Sequence, residues 1–157
     1  MPTLDSQITE ARIVWLPSCS KDEALRQLVE VVCRSAAVRD AAALQQAILS
    51  REVMMSTGLG YGVALPHARI AAVEQFVVAL GVVPDGIAWG GGMDDDPVRL
   101  VAMIAGPDHE NAGYLRLLST LMKFIKSEKG RILSASTAEE VLRRAARYEM
   151  GPDAPTP

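Results

Sequence analysis

The sequence predicts an α/β fold, a single domain with a mixed central β-sheet flanked by helices on both faces, and three observations support this. Two apolar runs, residues 76–83 and 98–105, are too short and too rich in β-branched residues for lone helices, so they read as interior strands of a covered sheet. Amphipathic stripes opened by capping residues alternate with such runs, which is the order of a layered α/β domain. The length, 157 residues with 49% hydrophobic and 22% charged content, suits one compact domain spanning 1–157, with its core at about 12–147 and a flexible tail at 150–157.

Taken in chain order, Ile13-Val14-Trp15-Leu16 is a short β-branched strand stopped by Pro17. Ser20-Lys21-Asp22-Glu23 is a capping box, and Leu25, Leu28, Val29 and Val32 carry one apolar stripe to about Arg34. A second helix is expected from Asp40 to Ser50, with Leu44, Ala47 and Ile48 inward. Between the two long strands, Pro84-Asp85-Gly86 and Gly90-Gly91-Gly92 are turn chemistry around Ile87-Ala88-Trp89, which reads as a small extra strand. Asp94-Asp95-Asp96 has no spaced partner carboxylates and reads as a solvated loop rather than a cation site. Tyr114, Leu118, Leu121 and Ile125 set the face of a long helix from about Asn111 to Glu128, whose C-terminal end suits Lys126, Lys129 and Gly130. Ser136-Thr137-Ala138-Glu139-Glu140 opens a final helix with Val141, Leu142 and Ala145 inward.

Charge and cysteine content exclude several classes of function. Sixteen Lys plus Arg against nineteen Asp plus Glu leave a net charge of −3, a poor match to nucleic acid phosphates, so no nucleic acid partner is expected. The chain opens without a basic, then apolar, leader and contains no run near the ~18 apolar residues of a membrane span, so a cytoplasmic protein without membrane insertion is expected. Cys19 and Cys33 are too few for a disulfide scaffold and read as reduced. Together with His67 and His109 they show no metal-ligand spacing, so neither a metal nor a cofactor is expected.

The unusual residues concentrate between Arg51 and Arg69. Gly58, Gly60 and Gly62 permit backbone conformations closed to other residues, and amides in such loops can form anion-binding concavities. Their spacing matches neither a dinucleotide fingerprint nor a Walker loop, because a strand-like Val63-Ala64-Leu65 follows them; a hairpin or bulge is the simpler reading of the glycines alone. His67 follows Pro66 at the end of that strand. An imidazole with its ordinary pKa of ~6.5 is largely uncharged and nucleophilic near neutral pH, and beside anion-binding amides and a guanidinium it can accept and release a phosphoryl group. Arg51 and Arg69 are the candidate guanidiniums, with planar forks that fit phosphate oxygens.

Arg51-Glu52, followed by the run from Ser56 through Gly58, Gly60, Gly62, Pro66 and His67 to Arg69, resembles the active-site stretch of enzyme IIA domains of the bacterial phosphoenolpyruvate-dependent phosphotransferase system, of the mannitol, fructose and nitrogen-regulatory type. The likeness spans roughly Arg12 to Arg147 and includes the Ser20-Lys21 helix start, Leu115, Leu118, Ser119 and Leu121, and the closing Ser136–Glu140 segment. It implies a mixed sheet flanked by helices and a phosphoryl carrier. His67 would receive phosphate from an HPr-type phosphocarrier and pass it to an enzyme IIB, with Arg51 beside the phosphoryl group and Gly60, Gly62, Arg69 and Tyr114 as its further binding residues. One position departs from the pattern: family members usually carry a second histidine at the start of the long helix, where this chain has Tyr114, and its other histidine, His109, lies five residues upstream. His109 is not expected to replace it. The alternative implied function is a regulatory module whose phosphorylation state controls a partner kinase, transporter or channel; a free-standing chain and the lost histidine favour it.

Overall fold

The computed structural model describes residues 2–151, so most of the expected tail lies outside the described residues. Its ten main elements are β1 (Ile13–Trp15), α1 (Lys21–Cys33), α2 (Ala41–Met54), β2 (Gly58–Gly60), β3 (Val63–Ala64), β4 (His67–Arg69), β5 (Val77–Ile87), β6 (Val98–Gly106), α3 (Asn111–Ser134) and α4 (Ala138–Ala145). The sheet order is β1-β5-β6-β3-β2, with β4 also paired to β6. It is mixed: β1 runs parallel to β5, β3 and β4 run parallel to β6, and the β5–β6 and β2–β3 pairs are antiparallel.

The two long strands are apolar throughout because both of their faces are covered. Ala79, Val83, Val101 and Met103 belong to the core beneath α1 and α2, whereas Val78, Leu80, Val82, Leu100 and Ile104 belong to the core beneath α3 and α4. Gly81 lets α1 approach closely, since a Cβ there would stand 3.1–3.2 Å from side-chain carbons of Leu16 and Leu28. Ser20 caps α1 as expected, accepting from the Glu23 amide; Asp40 caps α2, accepting from the Ala43 amide, and Thr137, within the expected capping segment, caps α4, accepting from the Glu140 amide.

Three boundaries correct the sequence reading. First, α2 runs one turn past Ser50 to Met54, which puts Arg51 and Glu52 on its last turn. The apolar stripe has ended there, but the buried Glu52 carboxylate is held by tertiary hydrogen bonds. Second, residues 87–89 form no separate strand. β5 continues through Pro84-Asp85-Gly86 to Ile87, which pairs with Val98 across an irregularity that tolerates the missing proline N–H, and Trp89 leaves the sheet to bury its indole. Third, α3 ends at Ser134, so Lys126, Lys129 and Gly130 lie inside it. The ~1 kcal/mol cost of an interior glycine is offset by Ile132, 1% exposed, and by buried Glu128, which accepts from Arg144 Nε at 2.8 Å, Arg144 Nη2 at 3.0 Å and the Tyr148 hydroxyl at 3.0 Å. The Arg144 hydrogen bonds, opposed by burial, hold that carboxyl below its ordinary range.

Candidate functional site

β3 and β4 are two pieces of one strand along the edge of β6, broken at Pro66, whose carbonyl accepts from the Ile104 amide. His67 opens the second piece, pairing with Ile104. The side chains of His67 and Arg69 share one face of β4 while Ala68 is buried on the other. The proline break also brings His67 Nδ1 to 2.8 Å from the carbonyl oxygen of Leu65. A carbonyl only accepts, so Nδ1 carries a ring proton, and in the neutral imidazole the lone pair is on Nε2.

A hollow of about 360 Å³ surrounds the imidazole, lined by Ala47, Arg51, His67, Arg69, Ile70 and Tyr114 among others. Arg51 reaches it from the last turn of α2, where its Nη1 also donates to the Met55 carbonyl at 2.8 Å. Arg69 donates to Pro107 and Asp108 carbonyls and, at 2.7 Å, to Asn111 Oδ1 at the head of α3. Its guanidinium carbon stands 4.7 Å above the Tyr114 ring, whose centroid is 6.2 Å from that of His67. Burial raises the Tyr114 phenol above its ordinary value, more than the charges of Arg69 and Arg51 lower it, so the hydroxyl remains a donor. Two guanidiniums, a phenol and an imidazole line the hollow without a carboxylate among them, an environment suited to a dianion.

The structure thus brings together His67, Arg51, Arg69 and Tyr114, but it places Gly60 and Gly62 elsewhere. Both lie in the β2–β3 turn with positive φ, as does Tyr61 between them. Gly62 accepts from the Leu100 amide, four residues along β6 from the Ile104 partner of His67, or about 13 Å at strand spacing. The turn's Tyr61 amide donates at 3.1 Å to Asp94 Oδ2, so this amide already serves the chain's own carboxylate. His109 also stands apart: it lies in the loop before α3, 72% exposed, with Nδ1 3.5 Å from Asp108 Oδ1.

The sequence assigns no role to one residue near the site, the acidic member of the Arg51-Glu52 pair. Glu52, 7% exposed, accepts from the Thr57 amide at 3.1 Å, the Thr57 hydroxyl, and Trp89 Nε1 at 2.9 Å, and pairs with Lys21 Nζ at 2.7 Å. Burial pushes this carboxyl up, but the hydrogen bonds from Lys21 and Thr57 and the Lys21 charge outweigh it and leave the carboxyl below its ordinary range. The network ties the last turn of α2, and so the base of Arg51, to the starts of α1 and β2. Its only sequence signal was an acidic residue beside Arg51. Burial raises both cysteine thiols, further from thiolate chemistry, and among the described residues no group of three or more His, Cys, Asp or Glu is arranged to hold a metal ion.

Comparison with known proteins agrees with this architecture. A family model described as phosphoenolpyruvate-dependent sugar phosphotransferase system, EIIA 2, matches residues 7–147. The chain is 33% identical over 129 residues to a fructose-specific EIIABC component of Bacillus subtilis, covering 81% of this chain but 20% of that longer protein. It is 31% identical over 140 residues to a fructose-specific EIIA component of Haloferax volcanii, covering 87% and 90% of the two chains. Among solved structures, nitrogen regulatory protein IIA-Ntr from Neisseria meningitidis superposes with a TM-score of 0.81 at 27% identity, covering 90% of this chain and 98% of that one. Enzyme IIAMTL of Escherichia coli, solved in complex with phosphorylated enzyme IIBMTL, gives 0.75 at 25% identity, covering 89% and 97%.

Proposed function

This chain belongs to the EIIA 2 family of the phosphoenolpyruvate-dependent sugar phosphotransferase system, and from that premise we propose that it carries a phosphoryl group on Nε2 of His67. The group comes from an HPr-type phosphocarrier and passes to an enzyme IIB or serves as a signal to a regulated protein. The Nε2 lone pair attacks the donor's phosphorus, the donor's N–P bond breaks with its electron pair going to the donor nitrogen, and a new N–P bond forms on His67 with no proton leaving the acceptor. Nδ1 keeps its proton, so the phosphorylated ring carries positive charge. The Leu65 carbonyl stabilises that charge, while the electron-poor ring remains a good leaving group for the next transfer. Arg51, Arg69 and the Tyr114 hydroxyl are the donors for the phosphoryl oxygens. We assign Gly60 and Gly62 no contact with the phosphoryl group, since their turn lies at the far end of the sheet edge.

The observation that carries this reading is His67 Nδ1 set 2.8 Å from the Leu65 carbonyl in a hollow lined by two guanidiniums. It is tested by incubating the protein with phosphoenolpyruvate, enzyme I and the HPr of the same genome. The expected product is a stoichiometric, acid-labile and base-stable phosphoprotein; an unlabelled protein in a mixture that labels HPr would overturn the reading. Tyr114 in place of a second histidine, together with the likeness to the nitrogen regulatory protein, supports the regulatory variant of the same chemistry. An added enzyme IIB separates the two, since only a sugar-pathway carrier loses its label to it. We place the carrier in the cytoplasm with its phosphate donor; among the described residues no helix is long and apolar enough to cross a membrane.

A further inference from the structure

We propose that the hollow between the β2–β3 hairpin and α3 binds a small amphipathic anion, an apolar chain ending in a carboxylate. Its volume is about 810 Å³, within the range of small-molecule sites, and neither His67 nor any side chain around it lines the hollow. Val63, Met122 and Ile125 give it an apolar floor, and Lys123, Lys126 and Lys129 stand along one side, with no acidic residue among those lining it. An apolar body fits the floor and a single negative charge fits the rim, which is the complementarity an amphipathic anion offers.

The dipole of the helix does not account for the three lysines. At the end of a helix they would complement its dipole, but α3 continues five residues past Lys129 to Ser134. Among the described residues neither Lys123 nor Lys126 has an ion-pair partner, and like charges three residues apart on one helix repel. Lys129 donates to the Tyr61 carbonyl, which ties the hairpin tip to the rim and leaves two ammonium hydrogens for a ligand. Tyr61 itself lies in the left-handed region at φ 57° with its side chain 80% exposed beside the hollow, a conformation that costs energy for a residue of this type. Asp94 on its amide and Lys129 on its carbonyl hold this backbone in place, so the aromatic side chain is presented at the mouth of the hollow.

The test is an amide-shift NMR titration of the whole protein with octanoate, octan-1-ol and acetate. Octanoate should saturate, with shifts confined to residues 59–63 and 119–129, and each control should bind about tenfold more weakly because it lacks either the charge or the chain. The double variant Lys123→Gln and Lys126→Gln, both exposed positions, should weaken octanoate about fivefold and leave octan-1-ol unchanged. Octan-1-ol binding as tightly as octanoate, shifts centred on Arg51, His67 and Tyr114, or no saturation by about 10 mM octanoate would each overturn the proposal. Phosphorylation is not read at any point, so the outcome is independent of the role of His67.

Discussion

The Arg69 guanidinium lies 4.7 Å above the Tyr114 ring while its own nitrogens are held by Pro107, Asp108 and Asn111 at the head of α3. The pair joins β4 to α3 across the hollow and sets a cation and a neutral phenol side by side. A histidine at the tyrosine position would bring a titrating charge there; the phenol, raised further above neutrality, brings a donor whose state does not change near pH 7.

Tyr114→Phe should therefore slow phosphorylation about five- to tenfold, the equivalent of one hydrogen bond of ~1–1.5 kcal/mol, without changing the thermal midpoint by more than a few degrees. Tyr114→His should change the pH dependence of the rate, because an imidazole of ordinary pKa ~6.5 then stands where the phenol did. Rapid-quench labelling across about pH 5.5–8 measures both. A His variant with the parent's pH profile, or a Phe variant at full rate, contradicts the role given to the phenol.

Arg51→Ala should fold normally, since the residue is on the last turn of α2 and its one described side-chain hydrogen bond goes to the Met55 carbonyl. Its charge-assisted bond to a phosphoryl oxygen is worth ~1.5–3 kcal/mol, so transfer should fall at least about tenfold. An unchanged labelling rate refutes the assignment.

His109→Ala should label at the parent rate. The imidazole is exposed and faces Asp108 and Glu110 rather than the hollow. A large loss of labelling in this variant, with Tyr114→Phe neutral, would make His109 the second site residue instead.

Glu52→Gln tests the support beneath Arg51. The substitution leaves Lys21 without its counter-charge and should destabilise the fold by about 1–3 kcal/mol at pH 7. Because the carboxyl is held below its unfolded value, its contribution is complete above ~4.3 and is lost as pH falls through the lower folded value. The stability gap between parent and variant, measured by urea unfolding, should thus be full at pH 7 and shrink below about pH 4. A gap that widens on acidification contradicts the sign.

The sequence made legible what periodicity and local chemistry dictate. The doubly apolar β5 and β6 required cover on both faces, Ser20 and Asp40 marked helix starts, and the Pro66-His67 step placed an imidazole at a strand end. What stayed hidden was decided by tertiary contact. Helix α3 passes through Gly130 because Ile132 is buried and Glu128 binds Arg144, and α2 gains a turn while Glu52 binds Lys21, Thr57 and Trp89. The glycine turn is the instructive case. Its φ values suit an anion-binding turn, but the anion on the Tyr61 amide is Asp94, thirty-three residues further along the chain.

The most direct test of the account is the nitrogen that carries phosphorus. In a phosphorylated sample labelled with ¹⁵N-histidine, long-range ¹H–¹⁵N correlation and phosphorus coupling should assign the N–P bond to Nε2 of His67 and leave the proton on Nδ1 facing the Leu65 carbonyl. Phosphorus on Nδ1, phosphorus on His109, or undiminished labelling of His67→Gln would contradict it.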